Sequence, residues 1–195
     1  MDSNNKLNLP PFPLLTWDHF FWRGELTLFA WSGFQTRRGP YCSLSDENPS
    51  SGCVRISVEP PNENELPTQE QMAAMQFLLD NQDALKEKIL LAIFKIYPDE
   101  RDMFRSGYGF DDSMDEEEKA EFEEEYGRFV PELSKTAELA NVIGLSQVHI
   151  LSRSENGLAF VGFEFGCNWD EEHGCGVLTH NGQVLEVGGA DVSFR

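Results

Sequence analysis

The sequence predicts an α+β fold, with an antiparallel N-terminal meander, central helices and a C-terminal antiparallel β-meander. Apolar and polar residues alternate in residues 25–28 and 53–58, which is the period of a strand with one buried face. From 68 to 97 the apolar residues recur every three or four positions, as in an amphipathic helix. Near the C-terminus, Asn156-Gly157 and Asn181-Gly182 are typical of two-residue hairpin turns. Because strands gather at both ends and helices lie between them, the pattern favours α+β over alternating α/β.

A single domain, residues 1–195, is expected, because a chain of 195 residues with 40% hydrophobic content can build one sizeable core. The predicted order along the chain is an extended proline-rich arm at 1–16, a β-rich part at 17–60, a helical part at 68–97, an acidic segment at 99–130, and a helix plus β-meander at 131–195.

The clearest predicted element is the helix over 68–97. Thr68 and Gln71 have the spacing of a capping box at its start. A break is expected near Asn81-Gln82, and Pro98 is expected to end the helix because proline cannot donate to the helical hydrogen-bond ladder. The apolar stripe that would face the core consists of Met72, Met75, Leu79, Leu85, Ile89, Ile93 and Ile96.

Two further helices and a run of strands are predicted after it. Ser113 and Glu116 have capping-box spacing, followed by a short acidic helix through Tyr126. Residues 131–143 read as another helix that Gly144 would terminate. The predicted strands then follow at 147–151, 158–165, 176–179 and 184–187.

The charge is strongly negative, at -19 from 34 acidic and 15 basic residues. A surface this acidic repels phosphate backbones and anionic membranes, so the sequence predicts neither nucleic-acid nor membrane binding. Residues 99–126 hold 13 acidic and three basic residues, about half of the net charge. A basic protein or a divalent cation is therefore the ligand that the charge favours, and solubility alone is the competing explanation of the charge. Of these, a basic protein such as a toxin is the expected partner. The candidate partner-binding residues are Asp111, Asp112, Asp115, Glu116, Glu117 and Glu118.

Cysteine usage and the N-terminus indicate a cytoplasmic protein. The cysteines Cys42, Cys53, Cys167 and Cys175 include no Cys-x-x-Cys pair, and no signal peptide is recognisable. The longest apolar run, 89–94, is too short to span a bilayer.

Residues 166–176 concentrate the groups that could carry chemistry. Asp170, Glu171 and His173 could ligate a metal ion, with Glu172 and the thiols of Cys167 and Cys175 nearby. The spacing matches no standard zinc or calcium loop.

Three other interpretations of this loop compete with metal binding. His173 could act as a general acid or base with Glu171 or Asp170. Cys167 or Cys175 could be a nucleophile beside His173, although an acidic loop disfavours a thiolate. The favoured interpretation is a structural turn in which Trp169 packs and the acids bond to backbone amides. No nucleophile elbow, phosphate loop or dinucleotide motif occurs, so the sequence predicts no cofactor and favours a protein that is not an enzyme.

One basic pair stands out in the acidic chain. Arg37-Arg38 could clamp a carboxylate or phosphate, but neutralisation of the protein's own acids is the favoured interpretation.

Four blocks resemble the bacterial domain family DUF6985: 148–150, 160–165, 169–177 and 184–191. The third block reads Trp-Asp-Glu-Glu-His-Gly-Cys-Gly-Val, and the fourth closes on Gly-Gly-Ala-Asp. The N-terminal Trp22-Arg23-Gly24 and residues 33–41 are similar to longer members, so the resemblance covers most of the chain. Cys175 stands where the family often has an aliphatic residue. The resemblance implies no active site, but some relatives resemble immunity proteins of toxin systems.

The resulting functional expectation is an acidic protein-binding protein, namely a bacterial immunity protein that neutralises a toxin with a basic active-site cleft. The alternative is a metal-binding protein or metal-dependent hydrolase that uses the 169–174 loop, and a structural module with no ligand of its own is a third possibility.

Overall fold

A computed structural model describes residues 5–36, 49–63 and 65–195. These residues build one eight-stranded sheet in which the strands lie in sequence order, with helices in the middle of the chain, which confirms the α+β prediction. The strands are β1 (Lys6–Leu7), β2 (Leu15–Trp17), β3 (Trp22–Thr27), β4 (Cys53–Val58), β5 (Ile143–Glu155), β6 (Leu158–Cys167), β7 (Cys175–His180) and β8 (Gln183–Gly188). The α-helices are α1 (Gln69–Gly107) and α2 (Glu116–Tyr126), and 3₁₀ helices include Phe29–Trp31, Thr136–Asn141 and Ala190–Phe194.

Both predicted meanders are present, and a single parallel pairing joins them. Neighbouring strands are antiparallel except for β4 and β5, which run parallel and place Arg55 opposite Gln147 and Ser57 opposite His149. The crossover between β4 and β5 contains α1 and α2. This parallel pairing was not predicted, and it brings residues about 90 positions apart into direct contact.

Helix α1 begins as the sequence indicates. Thr68 Oγ1 accepts a hydrogen bond from the backbone N–H of Gln71, and the Gln71 side chain accepts one from the backbone N–H of Thr68. The predicted break is confirmed at Asn81, whose backbone is non-helical (φ -124°, ψ 17°). Although α1 has 39 residues, no helix in the described ranges is long and apolar enough to cross a membrane.

The prediction that Pro98 ends the helix is wrong, because α1 continues past it. Proline removes one backbone hydrogen bond, but tertiary contacts hold the turns on both sides of it. The Tyr97 hydroxyl donates to the carbonyl of Pro131 at 2.7 Å, and Arg101 Nε donates to the carbonyl of Val130 at 2.9 Å.

The short acidic helix is confirmed, but its cap is not Ser113. Asp115 caps α2, accepting from the backbone N–H groups of Glu117 and Glu118 at 2.9 and 3.0 Å, while Glu118 Oε2 accepts from the Asp115 N–H. The Ser113 N–H instead donates to Asp111 at 2.7 Å, in the turn that precedes the helix. The capping box is therefore shifted by two residues from the predicted one.

The predicted helix over 131–143 is wrong in type and extent. Only Thr136–Asn141 is helical, as a 3₁₀ helix, and β5 already begins at Ile143. Gly144, predicted as a helix cap, pairs with Gly166 inside the sheet. The first nine residues of β5 are all buried, as in a strand that is covered on both faces. This burial outweighs the weak helical periodicity of the preceding residues.

The proline-rich arm contains two short strands, β1 and β2, and Leu15 is fully buried. The main core, rich in aromatic residues such as Trp31, Phe163 and Phe165, includes the buried side chains of α1. A second, smaller cluster of Leu151, Phe160, Leu178 and Val192 forms where Ala190–Phe194 packs on the sheet.

Candidate functional site

Helix α2 is anchored to the end of α1 by an arginine that contacts two aromatic rings. The Arg105 guanidinium lies 3.9 Å from the ring centre of Phe110 and 5.3 Å from that of Phe122, and it forms an ion pair with Glu123. Arg105 and Phe122 are both buried. Cation–π contacts of this kind fix the position of the helix that carries the acids.

An aromatic residue lies exposed beside this helix. Tyr108 stacks on Phe104 with ring centres 4.5 Å apart and contacts Tyr126 at 5.0 Å, yet it is 56% exposed. Met103, in the last turns of α1, is 70% exposed. Exposed tyrosine and methionine side chains are common at protein interfaces.

The predicted partner-binding acids cluster at the start of α2 and in the turn before it. All are exposed, and the salt bridges found among the described residues include none of them: Asp111, Asp112, Asp115, Glu116, Glu117 and Glu118. Hydrogen bonds from the backbone and side chain of Ser113 hold the pKa of Asp111 below its ordinary value. These carboxylates therefore form a charged surface that the described bases leave unneutralised. Together with Tyr108, we call it the acidic surface.

The 169–174 loop is a hydrogen-bonded turn. Asp170 Oδ1 accepts from the backbone N–H groups of Glu172 and His173 at 3.2 and 2.8 Å, and both carboxylate oxygens lie 3.1 Å from His173 Nδ1. The N–H of Gly174 donates to the carbonyl of Asp170, and the positive φ of Gly174 (62°) suits glycine. These contacts agree with the structural interpretation of the loop.

Side chains that flank the turn belong to the core. Trp169 is buried against Tyr97, with ring centres 5.4 Å apart. Burial, together with the charge of neighbouring groups, raises the pKa of the Cys175 thiol well above its ordinary value, which disfavours a thiolate. The Cys167 thiol donates to the carbonyl of Asp170 at 3.4 Å. The cysteine-nucleophile interpretation therefore has no physical support.

Asp170 and His173 are brought together, while Glu171 is exposed on the same turn. Within the described ranges, no group of three or more His, Cys, Asp and Glu side chains is arranged to hold a metal ion. Metal binding by Asp170, Glu171 and His173 stays a prediction, as does acid–base chemistry by His173.

The Arg37-Arg38 pair and Cys42 lie outside the described residues. The predictions made for this pair are therefore untested.

A polar groove on the sheet was missed by the sequence analysis. The strand register aligns Arg23, Ser57 and His149 in one row across β3, β4 and β5. His149 Nε2 lies 2.9 Å from Glu164 Oε2, and Ser57 Oγ lies 3.3 Å from His149 Nδ1. The side chains are deeply placed, since His149 is 8% exposed and Glu164 is 6% exposed.

The electrostatics of Glu164 decide how the imidazole is oriented. Burial raises the pKa of Glu164, but hydrogen bonds from His149 and Ser146 and the positive charges of His149 and Arg55 outweigh it, so the pKa lies below its ordinary value. Glu164 is thus ionised at neutral pH and accepts the Nε2 proton of His149. In the neutral imidazole, Nδ1 then carries the lone pair and faces the hydroxyl of Ser57.

A cavity of about 250 Å³ opens over this row. Its floor includes Ser57, Gln147 and His149 of the sheet, and Phe21, Arg23 and Phe194 contribute to its walls. The Phe194 ring, from the C-terminal 3₁₀ helix, lies 5.4 Å from the imidazole. We call this cavity the sheet groove.

One sequence signal could have pointed to the sheet groove. Glu164 is a lone acid in the apolar run between Phe163 and Phe165, and a buried carboxylate needs a partner. The hairpin predicted at Asn156-Gly157 places β5 beside β6, and so His149 near Glu164. Ser57, however, meets His149 only through the unpredicted parallel pairing of β4 and β5.

Comparisons with known proteins identify a family. Residues 22–194 match the family model described as "Domain of unknown function (DUF6985)". No curated protein and no solved structure matches the chain. The matched range contains the acidic surface, the 169–174 loop and the polar row of the sheet groove. Since it spans most of the sequence, the chain belongs to the DUF6985 family.

Proposed function

We propose that this chain is a protein-binding protein that contacts a basic partner through the acidic surface. The supporting observation is that α2 presents unneutralised carboxylates from a helix anchored by Arg105. The finer proposal is a bacterial immunity protein of the cytoplasm that covers the basic active-site cleft of a toxin. The net charge of -19 supports electrostatic attraction to such a cleft.

Two features of the acidic surface favour tight binding over diffuse attraction. A helix fixed before binding loses less conformational entropy when the partner docks. Tyr108 adds a large, half-exposed ring, and tyrosine is enriched among the residues that dominate binding energy. The carboxylates provide attraction at long range, and Tyr108 provides an apolar anchor at contact.

The test replaces the acids of the acidic surface by their amides. Asp→Asn and Glu→Gln changes keep the cap of α2, because Asn is a good N-cap and Gln completes a capping box. Binding to the purified product of the neighbouring open reading frame is measured by calorimetry over a series of salt concentrations. We expect affinity to fall by roughly tenfold or more, with a weaker salt dependence in the variant.

A matched control removes the same number of charges elsewhere. This control variant carries the same amide replacements at six exposed residues outside the acidic surface: Glu63, Asp80, Asp83, Glu87, Glu155 and Glu172. Binding should persist in this control, because the total charge changes equally while the acidic surface is intact. Equal losses in both variants, or none in the first, would reject the proposed contact surface.

The alternative proposal is metal binding by the 169–174 loop, supported by the contact of Asp170 with His173. Elemental analysis of protein purified without added metal tests it, before and after His173→Ala. A stoichiometric metal that His173→Ala removes favours the alternative. Absence of metal, with no thermal shift in zinc, manganese or calcium, rejects it.

A further inference from the structure

We propose that the sheet groove is an acyl-transfer site for small uncharged esters, with Ser57 as nucleophile and His149 as its general base. Glu164 is a positioning residue that acts through His149. The site lies on the sheet, whereas the acidic surface lies on α2, so this activity is independent of the proposed protein binding.

Three side chains from three strands form the proton path, in the order Ser57, His149 and Glu164. Ser57 Oγ lies 3.3 Å from His149 Nδ1, and His149 Nε2 lies 2.9 Å from Glu164 Oε2. The ionised carboxylate fixes the Nε2–H tautomer, which leaves the basic nitrogen facing the hydroxyl. A nucleophile, a base and a group that orients the base are the recognised parts of an activated serine. A distance of 3.3 Å is within the looser range found before substrate binds.

Strands rather than loops hold this arrangement. Ser57 and His149 are directly paired across β4 and β5, and Glu164 lies on β6 next to them, opposite Gln147. Ser146 Oγ donates to both the carbonyl and the carboxylate of Glu164, at 2.9 and 3.1 Å, which fixes the carboxylate in turn. Paired strands keep these distances constant, as a catalytic site requires.

The chemical step balances without any co-reactant except water. Ser57 Oγ bonds to the ester carbonyl carbon while its proton passes to His149 Nδ1. The ester C–O bond breaks, and the alcohol leaves with that proton. Water then attacks the acyl-serine, gives one proton through Nδ1 to Ser57 Oγ, and releases the carboxylic acid.

Arg23 supplies the donor for the negative charge that develops on the carbonyl oxygen. It is paired directly opposite Ser57 in the register of β3 and β4, and it lines the same groove. Its Nε donates to Asp18, which orients the guanidinium and leaves further N–H donors. A guanidinium that lines the same groove as the nucleophile can act as an oxyanion hole for a bound ester.

The dimensions and lining of the sheet groove define the substrate class. A volume of about 250 Å³ suits a small molecule, and Phe21, Ile150, Leu151 and Phe194 give an apolar lining. Glu59, which also lines the groove, and the ionised Glu164, which bonds to His149, repel anionic substrates. A small, uncharged, largely apolar ester therefore fits best.

Diisopropyl fluorophosphate tests the nucleophile directly. Its reaction forms an Oγ–P bond, breaks the P–F bond and releases fluoride and the serine proton. Intact-mass spectrometry and peptide mapping of the full chain should find one adduct, on Ser57. Ser57→Ala should abolish the adduct, and His149→Gln should slow labelling by about 100-fold or more.

A matched control is Ser152→Ala, because the Ser152 hydroxyl donates to the carboxylate of Glu59 at 2.8 Å instead of contacting an imidazole. Labelling of this control should equal that of the wild type. The variant with a neutralised acidic surface should also be labelled normally, which separates this site from the protein-binding proposal.

A comparison of two substitutions distinguishes positioning by Glu164 from a purely structural role. Glu164→Gln removes the charge that orients the imidazole and should slow labelling of Ser57, whereas Glu164→Asp keeps a carboxylate and should restore part of the rate. Equal labelling rates in the two variants contradict the role of Glu164, and this comparison decides if His149→Gln fails to fold. No adduct, an adduct elsewhere, or labelling indifferent to both variants overturns the proposal.

Discussion

Glu164 links the stability of the protein to pH. Its folded-state pKa lies below the ordinary value, so its contribution is fully present above about pH 4.3 and is lost as pH falls through the folded pKa. Glu164→Gln keeps the shape and the hydrogen bond from Ser146 but removes the charge. We expect the free energy of unfolding of the variant near neutral pH to be about 1–3 kcal/mol lower than that of the wild type. This difference should become smaller at acidic pH. Urea unfolding at about pH 7 and about pH 3.5 measures both values. An equal gap at both pH values would contradict the charge-based account.

Arg105 is the residue that holds α2 in place. Arg105→Met keeps an unbranched, buried side chain but removes the ion pair with Glu123 and the cation–π contacts. We expect the free energy of unfolding to fall by about 1–3 kcal/mol. Amide hydrogen exchange should become faster in α2, while the amides of the sheet stay protected from exchange. Arg153→Met is the matched control, because Arg153 lies 4.0 Å from the Phe160 ring but is exposed and distant from α2. Unchanged exchange in α2 would show that other contacts anchor the helix.

The C-terminal 3₁₀ helix, Ala190–Phe194, covers the sheet only because Gly162 and Gly176 allow its backbone to approach. A Cβ on Gly162 would lie 1.6 Å from the carbonyl oxygen of Ser193. Gly162→Ala must therefore displace this helix and Phe194, which should lower the free energy of unfolding by about 1–3 kcal/mol. Increased amide exchange in 190–194 and a lower denaturation midpoint would show this. Gly107→Ala is the matched control, because its Cβ would meet nothing within 4 Å. A Gly162→Ala variant as stable as the wild type would mean that the helix is not fixed there.

Local patterns predicted some of these elements and failed for others for identifiable reasons. The capping box at Thr68 and the break at Asn81 depend on neighbouring residues alone, and both are confirmed. Pro98 failed as a stop signal because distant carbonyls, at Val130 and Pro131, hold the helix around it. The helix over 131–143 failed because burial between other elements, which a short window does not contain, makes Ile143 the start of a strand.

Local patterns could not predict the sheet groove either, because its residues come from distant parts of the chain. Strand signals for β4 and β5 are present in the sequence, but their parallel alignment depends on how a long helical crossover packs. The loop at 169–174, whose groups are adjacent in sequence, could be assessed without a structure. Ser57, His149 and Glu164 come from three strands, so only the assembled sheet reveals that they touch.

The parallel pairing of β4 with β5 also predicts how the protein unfolds. β4 bonds to β3 on one side and to β5 on the other, and the main core joins residues of both meanders with those of α1. Neither meander can then lose its core without exposing the other, so we expect one cooperative transition. Urea unfolding is followed with single-tryptophan variants that retain either Trp22 in β3 or Trp169 near β7. Coincident midpoints and slopes at both positions confirm the predicted single domain of residues 1–195. Separate transitions would show that the two halves of the sheet fold independently and that β4 and β5 are only weakly joined.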